Sequence, residues 1–292
     1  MNSLSPTEAS DLFRAEPHRY IDIGNGEVAY RRVGQGPDVV FSHGWPVTSA
    51  TWRCLLPYLA DHVTCHLFDY PGAGDSKFDR TTQFSVEGHA ETLRRTVDVL
   101  GLDRFAVVGQ DSGGMIARFA LAGDARVRGW GLVATEQPPA PSWRFRSFVA
   151  LRAVPGFETL LGVAMNTPWL RRNPMVLGDI FVDKRRLDGE FAEFFAQPLR
   201  DDPEKLWAAG QLLRNFDLDL FAQLSACHRK IEVPVQLVWG GRDPFFPVAR
   251  AREMMSEFAG PVNLEVIDEA SLFVHEEFPG PVADALLKTI GG

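Results

Sequence analysis

The 292 residues are 45% hydrophobic and 23% charged, a globular balance that fits one large domain or a core with an inserted subdomain. A formal net charge of −8 argues against nucleic acid or an anionic membrane as the main partner. Cys54, Cys65 and Cys227 are odd in number and lack metal-like spacing, no apolar run is long enough to span a bilayer, and the first twenty residues lack a signal-peptide core, so a cytoplasmic protein with free thiols is expected.

In chain order, "GEVAYRRVG" (26–34) reads as an early antiparallel strand and "DVVFSHG" (38–44) as a buried strand running into a loop. "VTCHLFDYPG" (63–72) is another strand, ending in a Pro-Gly turn. "SVEGHAETLRRTVDVLGL" (85–102) has helical period between a Ser and a Gly. "RFAVVGQDSGGMIARFALAG" (104–123) is a strand, a sharp turn and a helix, and "VRGWGLVATE" (127–136) a further strand. The character changes after Glu136: residues 137–230 are rich in Phe, Leu, Trp and Arg with breaks at Pro155, Pro168, Pro174, Pro198 and Pro203, which predicts a helical insertion. Strands resume with "VPVQLVWGGRD" (233–243) and "VNLEVID" (262–268), with helices near 248–258 and 281–290. The alternation predicts a mainly parallel sheet with helices on both faces, residues 1–136 and 231–292 forming the core and 137–230 a helical cap. Ligands in such sheets bind beyond the carboxyl ends of the strands.

"VVGQDSGG" is the most informative stretch. A tight strand-to-helix turn requires small residues two before and two after its apex. Asp111 satisfies this with Gly109 and Gly113, whereas Ser112 would have Gln110 two before it. The apex therefore presents a carboxylate in the frame G-x-D-x-G. Such a group can attack an sp³ carbon and form an alkyl ester that water must then cleave.

This elbow and the segments around it resemble the α/β-hydrolase superfamily, and Asp at the apex resembles its epoxide hydrolase and haloalkane dehalogenase branch. The likeness covers nearly the whole chain. It implies an α/β-hydrolase fold, a mostly parallel eight-stranded sheet with helices on both faces and an inserted helical cap, acting on a small hydrophobic molecule with no cofactor and no metal. "FSHGWP" (41–46) is similar to the branch's HG-x-P loop, which implies that the N–H groups of Trp45 and Ser112 form an oxyanion hole. His43 in that motif is read as structural, and Asp69 in "FDYPGAGDS" as shaping a turn. The family places the acid that orients a catalytic His after one of two strands. Asp243 in "WGGRDPFFP" takes the usual slot and Glu136 the alternative one; otherwise Glu136 would close the neck of the cap, paired with Arg144 or Arg146.

The family's substrate signatures are incomplete. Epoxide opening uses cap tyrosines, and none of Tyr20, Tyr30, Tyr58 and Tyr70 lies in the insert. Halide binding uses a Trp directly after the nucleophile, where Ser112 stands; Trp45 with Trp143, Trp169 or Trp207 is the remaining source of an indole pair. No Arg follows Asp111 closely enough to grip a carboxylate substrate. Among Phe145, Phe148, Phe157, Phe181, Phe191, Phe194 and Phe195 some are expected to line an apolar pocket above Asp111.

The last segment, "SLFVHEEFPG" (271–280), resembles the family's G-H-F-x-x-x-E-x-P loop, whose His activates water. Anchored on Glu277 and Pro279, the frame puts Phe273 on the Phe and Leu272 on the catalytic His. Three readings follow. Leu272, natural or introduced, replaces the base of a hydrolase; or His275 is a relocated base; or the pocket serves a ligand-binding protein or a non-hydrolytic catalyst of cyclase or lyase type.

Overall fold

The computed structural model describes residues 4–292. Its strands are β1 (Arg19–Asp22), β2 (Gly26–Gly34), β3 (Asp38–Ser42), β4 (Thr64–Phe68), β5 (Lys77–Phe78), β6 (Phe105–Gln110), β7 (Val127–Val133), β8 (Val235–Gly240) and β9 (Val262–Ile267). They form one sheet in the order β1-β2-β4-β3-β6-β7-β8-β9, with β5 paired to β2. Pairings of β2 with β1, β4 and β5 are antiparallel, and all those from β4 through β9 are parallel. The expected eight-stranded, mostly parallel sheet is present. β1 and the two-residue β5 are too short to show a period of their own in the sequence.

Alternation along the central strands splits the core into two layers. Val40, Val107, Leu132 and Leu237 face one side with Trp130 and Trp239. Val39, Phe41, Val108, Val133 and Val238 face the other, under the C-terminal helix Pro279–Ile290. The first layer is covered by the helices Val86–Leu100 and Ser112–Leu121, which pack on each other. Ser85 caps the former by accepting from the Gly88 N–H at 3.1 Å, and Gly101 ends it with a left-handed φ of 65°.

Between β7 and β8 lies the helical insert: Trp143–Ala150, Phe157–Asn166, Pro168–Arg171, Gln197–Asp201, Pro203–Arg214 and Leu220–His228, with single turns between. Three of the five prolines noted in the sequence, Pro168, Pro198 and Pro203, stand in first turns of helices, where a missing N–H costs nothing. The last of these helices packs on Ser112–Leu121, below the elbow. Among the described residues no helix is long and apolar enough to cross a membrane.

Candidate active site

Asp111 stands where β6 meets its helix, with φ 49° and ψ −140°. Such a backbone costs on the order of 1–3 kcal/mol for a residue with a side chain and persists only where the surroundings fix it. Close packing does so here. A Cβ at Gly109 would lie 2.6 Å from the Gly114 Cα, and one at Gly113 would lie 2.3 Å from the carbonyl oxygens of Ser42 and His43. The Asp111 N–H donates to the Ala134 carbonyl at 3.0 Å, tying the turn to the end of β7.

The carboxyl of Asp111 accepts from the Trp45 N–H at 3.0 Å through Oδ2, and the Ser112 N–H also hydrogen-bonds it. The two amides expected to form an oxyanion hole thus converge on the carboxyl of Asp111. Burial pushes the Asp111 pKa well above the carboxylate range, and the charge of Glu136 pushes it further, against the pull of these two donors. Asp243 adds a smaller push in the same direction.

Asp243 Oδ1 accepts from the Phe245 and Phe246 N–H groups at 2.8 and 3.0 Å. Oδ2 is buried and has no hydrogen-bond partner among the described residues. Burial raises this carboxyl to about 7 despite the two amides. The proton is bound more tightly in the folded than in the unfolded chain, so the contribution to stability is complete below about pH 4 and is lost as pH rises through 7. Asp243→Asn is therefore expected to stabilise the protein at pH 8 relative to pH 5, by up to about 3 kcal/mol. Thermal denaturation at the two pH values checks this, and an equal change at both would contradict it.

Glu136 is wholly buried. Its Oε2 accepts from Thr135 Oγ1 at 2.9 Å, and its Oε1 has no partner among the described residues. Burial raises it to about 7, while the charge of Arg118 opposes the shift. The expected pairing with Arg144 or Arg146 is not formed: Arg144 bonds the Pro174 carbonyl and lies over the Phe245 ring. The cation at Glu136 is Arg118, which no sequence motif marks. Its guanidinium donates to Thr135 Oγ1 and the Glu136 carbonyl, both at 2.8 Å, and to His228 Nε2 at 2.9 Å. An Arg inside an apolar helical stretch was the only signal.

The C-terminal loop turns two side chains in opposite directions. Leu272 is buried on the cavity that holds Asp111, beside Phe273. His275 is fully buried elsewhere, against Trp52 and Phe273. Thr51 gives its proton to Glu276, so His275 Nε2 donates to Thr51 Oγ1, at 2.7 Å. Burial and the charge of Arg53 lower His275 to about 3. The reading of His275 as a relocated base is therefore corrected: its ring does not line the cavity, and one turn of helix (Val274–Glu277) carries it into the packing below. Glu277 clamps the loop, accepting from the Ser271 N–H and the Val182 N–H, both at 2.7 Å.

The cavity above Asp111 holds about 50 Å³. Its floor is Asp111, Ser112 and Glu136, and its walls include Trp45, Phe245, Leu272 and Phe273. The insert contributes Phe145, Phe148, Val149, Leu177, Ile180, Leu212, Leu213 and Phe216, all apolar. Of the phenylalanines named from sequence, Phe145 and Phe148 line it; Phe157, Phe181, Phe191 and Phe195 are buried outside it. The three insert tryptophans offered as substrate contacts are a correction. Trp143 is 75% exposed, Trp169 71% and Trp207 47%, and none lines the cavity. Ser142 caps the helix that begins at Trp143, so Phe145 and Val149, four apart, face inward and Trp143 faces out. Trp207 packs on Phe78 and Phe84. The Trp45 indole N–H is spent on the Ala209 carbonyl at 2.9 Å.

The profile of the family described as "alpha/beta hydrolase fold" matches residues 37–279. Haloalkane dehalogenase 2 of Mycobacterium tuberculosis is 28% identical over 285 residues, covering 94% of each chain. Soluble epoxide hydrolase of Corynebacterium sp. is 36% identical over 109 residues, 37% of each chain. The crystal structure of haloalkane dehalogenase DbeA from Bradyrhizobium elkani superposes with a TM-score of 0.78 at 19% identity, covering 93% of this chain and 96% of that one. The profile spans most of the sequence, and the chain belongs to the α/β-hydrolase fold family.

Proposed function

We propose that this protein attacks an sp³ carbon of a small hydrophobic substrate with Asp111, as dehalogenases and epoxide hydrolases of this fold do, and that the alkyl ester so formed is hydrolysed slowly because Leu272 stands in the base position. Asp111 is the nucleophile, the N–H groups of Trp45 and Ser112 receive the oxyanion during ester cleavage, and Asp243 is the acid left without an imidazole. The observation that carries this is the pairing of Leu272 on the cavity wall with an Asp243 Oδ2 that is buried and unpartnered. A carboxyl of that kind is costly unless its site was shaped to hold a donor. The likeness to named dehalogenases and an epoxide hydrolase supports the same chemistry.

The test is intact mass after incubation with short 1-bromoalkanes and terminal epoxides. A stoichiometric adduct is expected, absent in Asp111→Asn. No adduct with any member of the panel, together with no turnover in Leu272→His, would sink the reading. That outcome favours a ligand-binding protein or non-hydrolytic catalyst on the same fold. The insert's wholly apolar share of the lining, which offers no donor to a leaving group, is the observation on that side.

A further inference from the structure

We infer that Glu136 is the water-activating base that remains at this site, so that the slow hydrolysis of the Asp111 ester runs through its carboxylate. The inference rests on the alkyl-ester reading above and gives it a second step.

Glu136 is on the cavity floor with Asp111, whereas Asp243 does not line the cavity. Thr135 Oγ1 lies 2.8 Å from the backbone carbonyl oxygen of Asp111 and 2.9 Å from Glu136 Oε2, which fixes the two residues against each other. That contact leaves Glu136 Oε1 as the buried, unpartnered acceptor. The backbone of Glu136 is held by Arg118, itself anchored on His228, whose Nδ1 meets Glu257 at 2.9 Å. The charged and titratable groups facing Glu136 are thus Asp111 and Arg118, with His228 and Glu257 behind the guanidinium.

The charges alternate usefully through the two steps. Asp111 must be ionised to attack, and two carboxylates sharing one apolar floor oppose double ionisation, so Glu136 then holds a proton. Alkylation removes the Asp111 charge. With Arg118 alone beside it, Glu136 then ionises, and its proton passes to solvent to balance the anion expelled in the first step. A water oxygen adds to the ester carbonyl carbon while one of its protons passes to Glu136 Oε1, and the oxyanion is held by the Trp45 and Ser112 N–H groups. Collapse breaks the bond between the Asp111 Cγ and the carboxyl oxygen that carries the alkyl group; that oxygen takes the proton from Glu136 and leaves in the alcohol. The product alcohol leaves with one proton between Asp111 and Glu136, as at the start of the cycle.

The test follows ester formation and ester decay separately by intact mass with a 1-bromoalkane. In Glu136→Gln the ester should persist about 10-fold longer or more. Ester formation should instead extend to lower pH, because Asp111 has lost its neighbouring charge. A merely structural role would not move the two steps in opposite senses. Glu136→Asp should recover part of the decay rate. An ester that forms in Glu136→Gln and decays at the unsubstituted rate overturns the inference and leaves the Asp111 reading intact; no ester in the unsubstituted protein overturns that reading instead. Should Glu136→Gln fail to fold, ester decay in the unsubstituted protein decides: it should rise with pH through a single ionisation, and a flat profile contradicts the role.

Discussion

Leu272→His is expected to raise the rate of ester hydrolysis by on the order of 10²–10⁴. The leucine side chain already lines the cavity with Asp111, and an imidazole is close to it in size. Asp243 Oδ2 is buried without a partner and would accept from the ring N–H, fixing the tautomer that leaves the other nitrogen free to take a proton from water. Asp243 would then ionise more readily, because the imidazolium formed during the reaction compensates a charge that burial now opposes. Steady-state turnover of a bromoalkane by Leu272→His against the unsubstituted protein measures the effect. An unchanged rate would mean that ester cleavage is not what limits this site.

The second large effect is on folding. Gly113→Ala is expected to destabilise by more than about 3 kcal/mol, because its Cβ would sit 2.3 Å from two backbone oxygens, those of Ser42 and His43. Flexible side chains could yield to such a clash, but these atoms belong to the end of β3 and the loop that carries Trp45. Relief would pull the helix Ser112–Leu121 away from β3 and displace the Ser112 and Trp45 amides from Asp111. Denaturant unfolding measures the loss; a change below 1 kcal/mol, by the usual scale of surface substitutions, would show that the elbow is not packed as described.

The elbow was legible in the sequence because its requirement is steric and local: glycines two before and two after an apex are needed wherever a strand turns this sharply into a helix. Leu272 was legible for a related reason, since Glu277 and Pro279 fix the frame of the last loop and Glu277 clamps it physically. The alternation of Val39, Val40 and Phe41, and of Ala106, Val107 and Val108, announced strands covered on both faces. The insert was not legible at the level of single side chains. Its helices are short, and residue type alone does not say which face each presents, so Trp143, Trp169 and Trp207 were placed on the substrate when they face out, while Phe216 and Leu212 went unnamed. Arg118 was missed because its partners, Thr135, Glu136 and His228, are far away along the chain and meet only through the packing of three elements. His275 drew notice as a visible imidazole, but its turn of helix directs it to Thr51.

In the proposed reaction substrate carbon becomes bonded to Asp111 and stays there for want of a base at position 272. Peptide mapping by tandem mass spectrometry, after exposure to a 1-bromoalkane in water enriched in ¹⁸O, reads both events on one residue. The expected result is an alkyl group on the peptide containing Asp111 in the unsubstituted protein, and in Leu272→His an unalkylated peptide with ¹⁸O in the Asp111 carboxyl. Product released while Asp111 carries neither the alkyl group nor the heavy oxygen in either protein would contradict it.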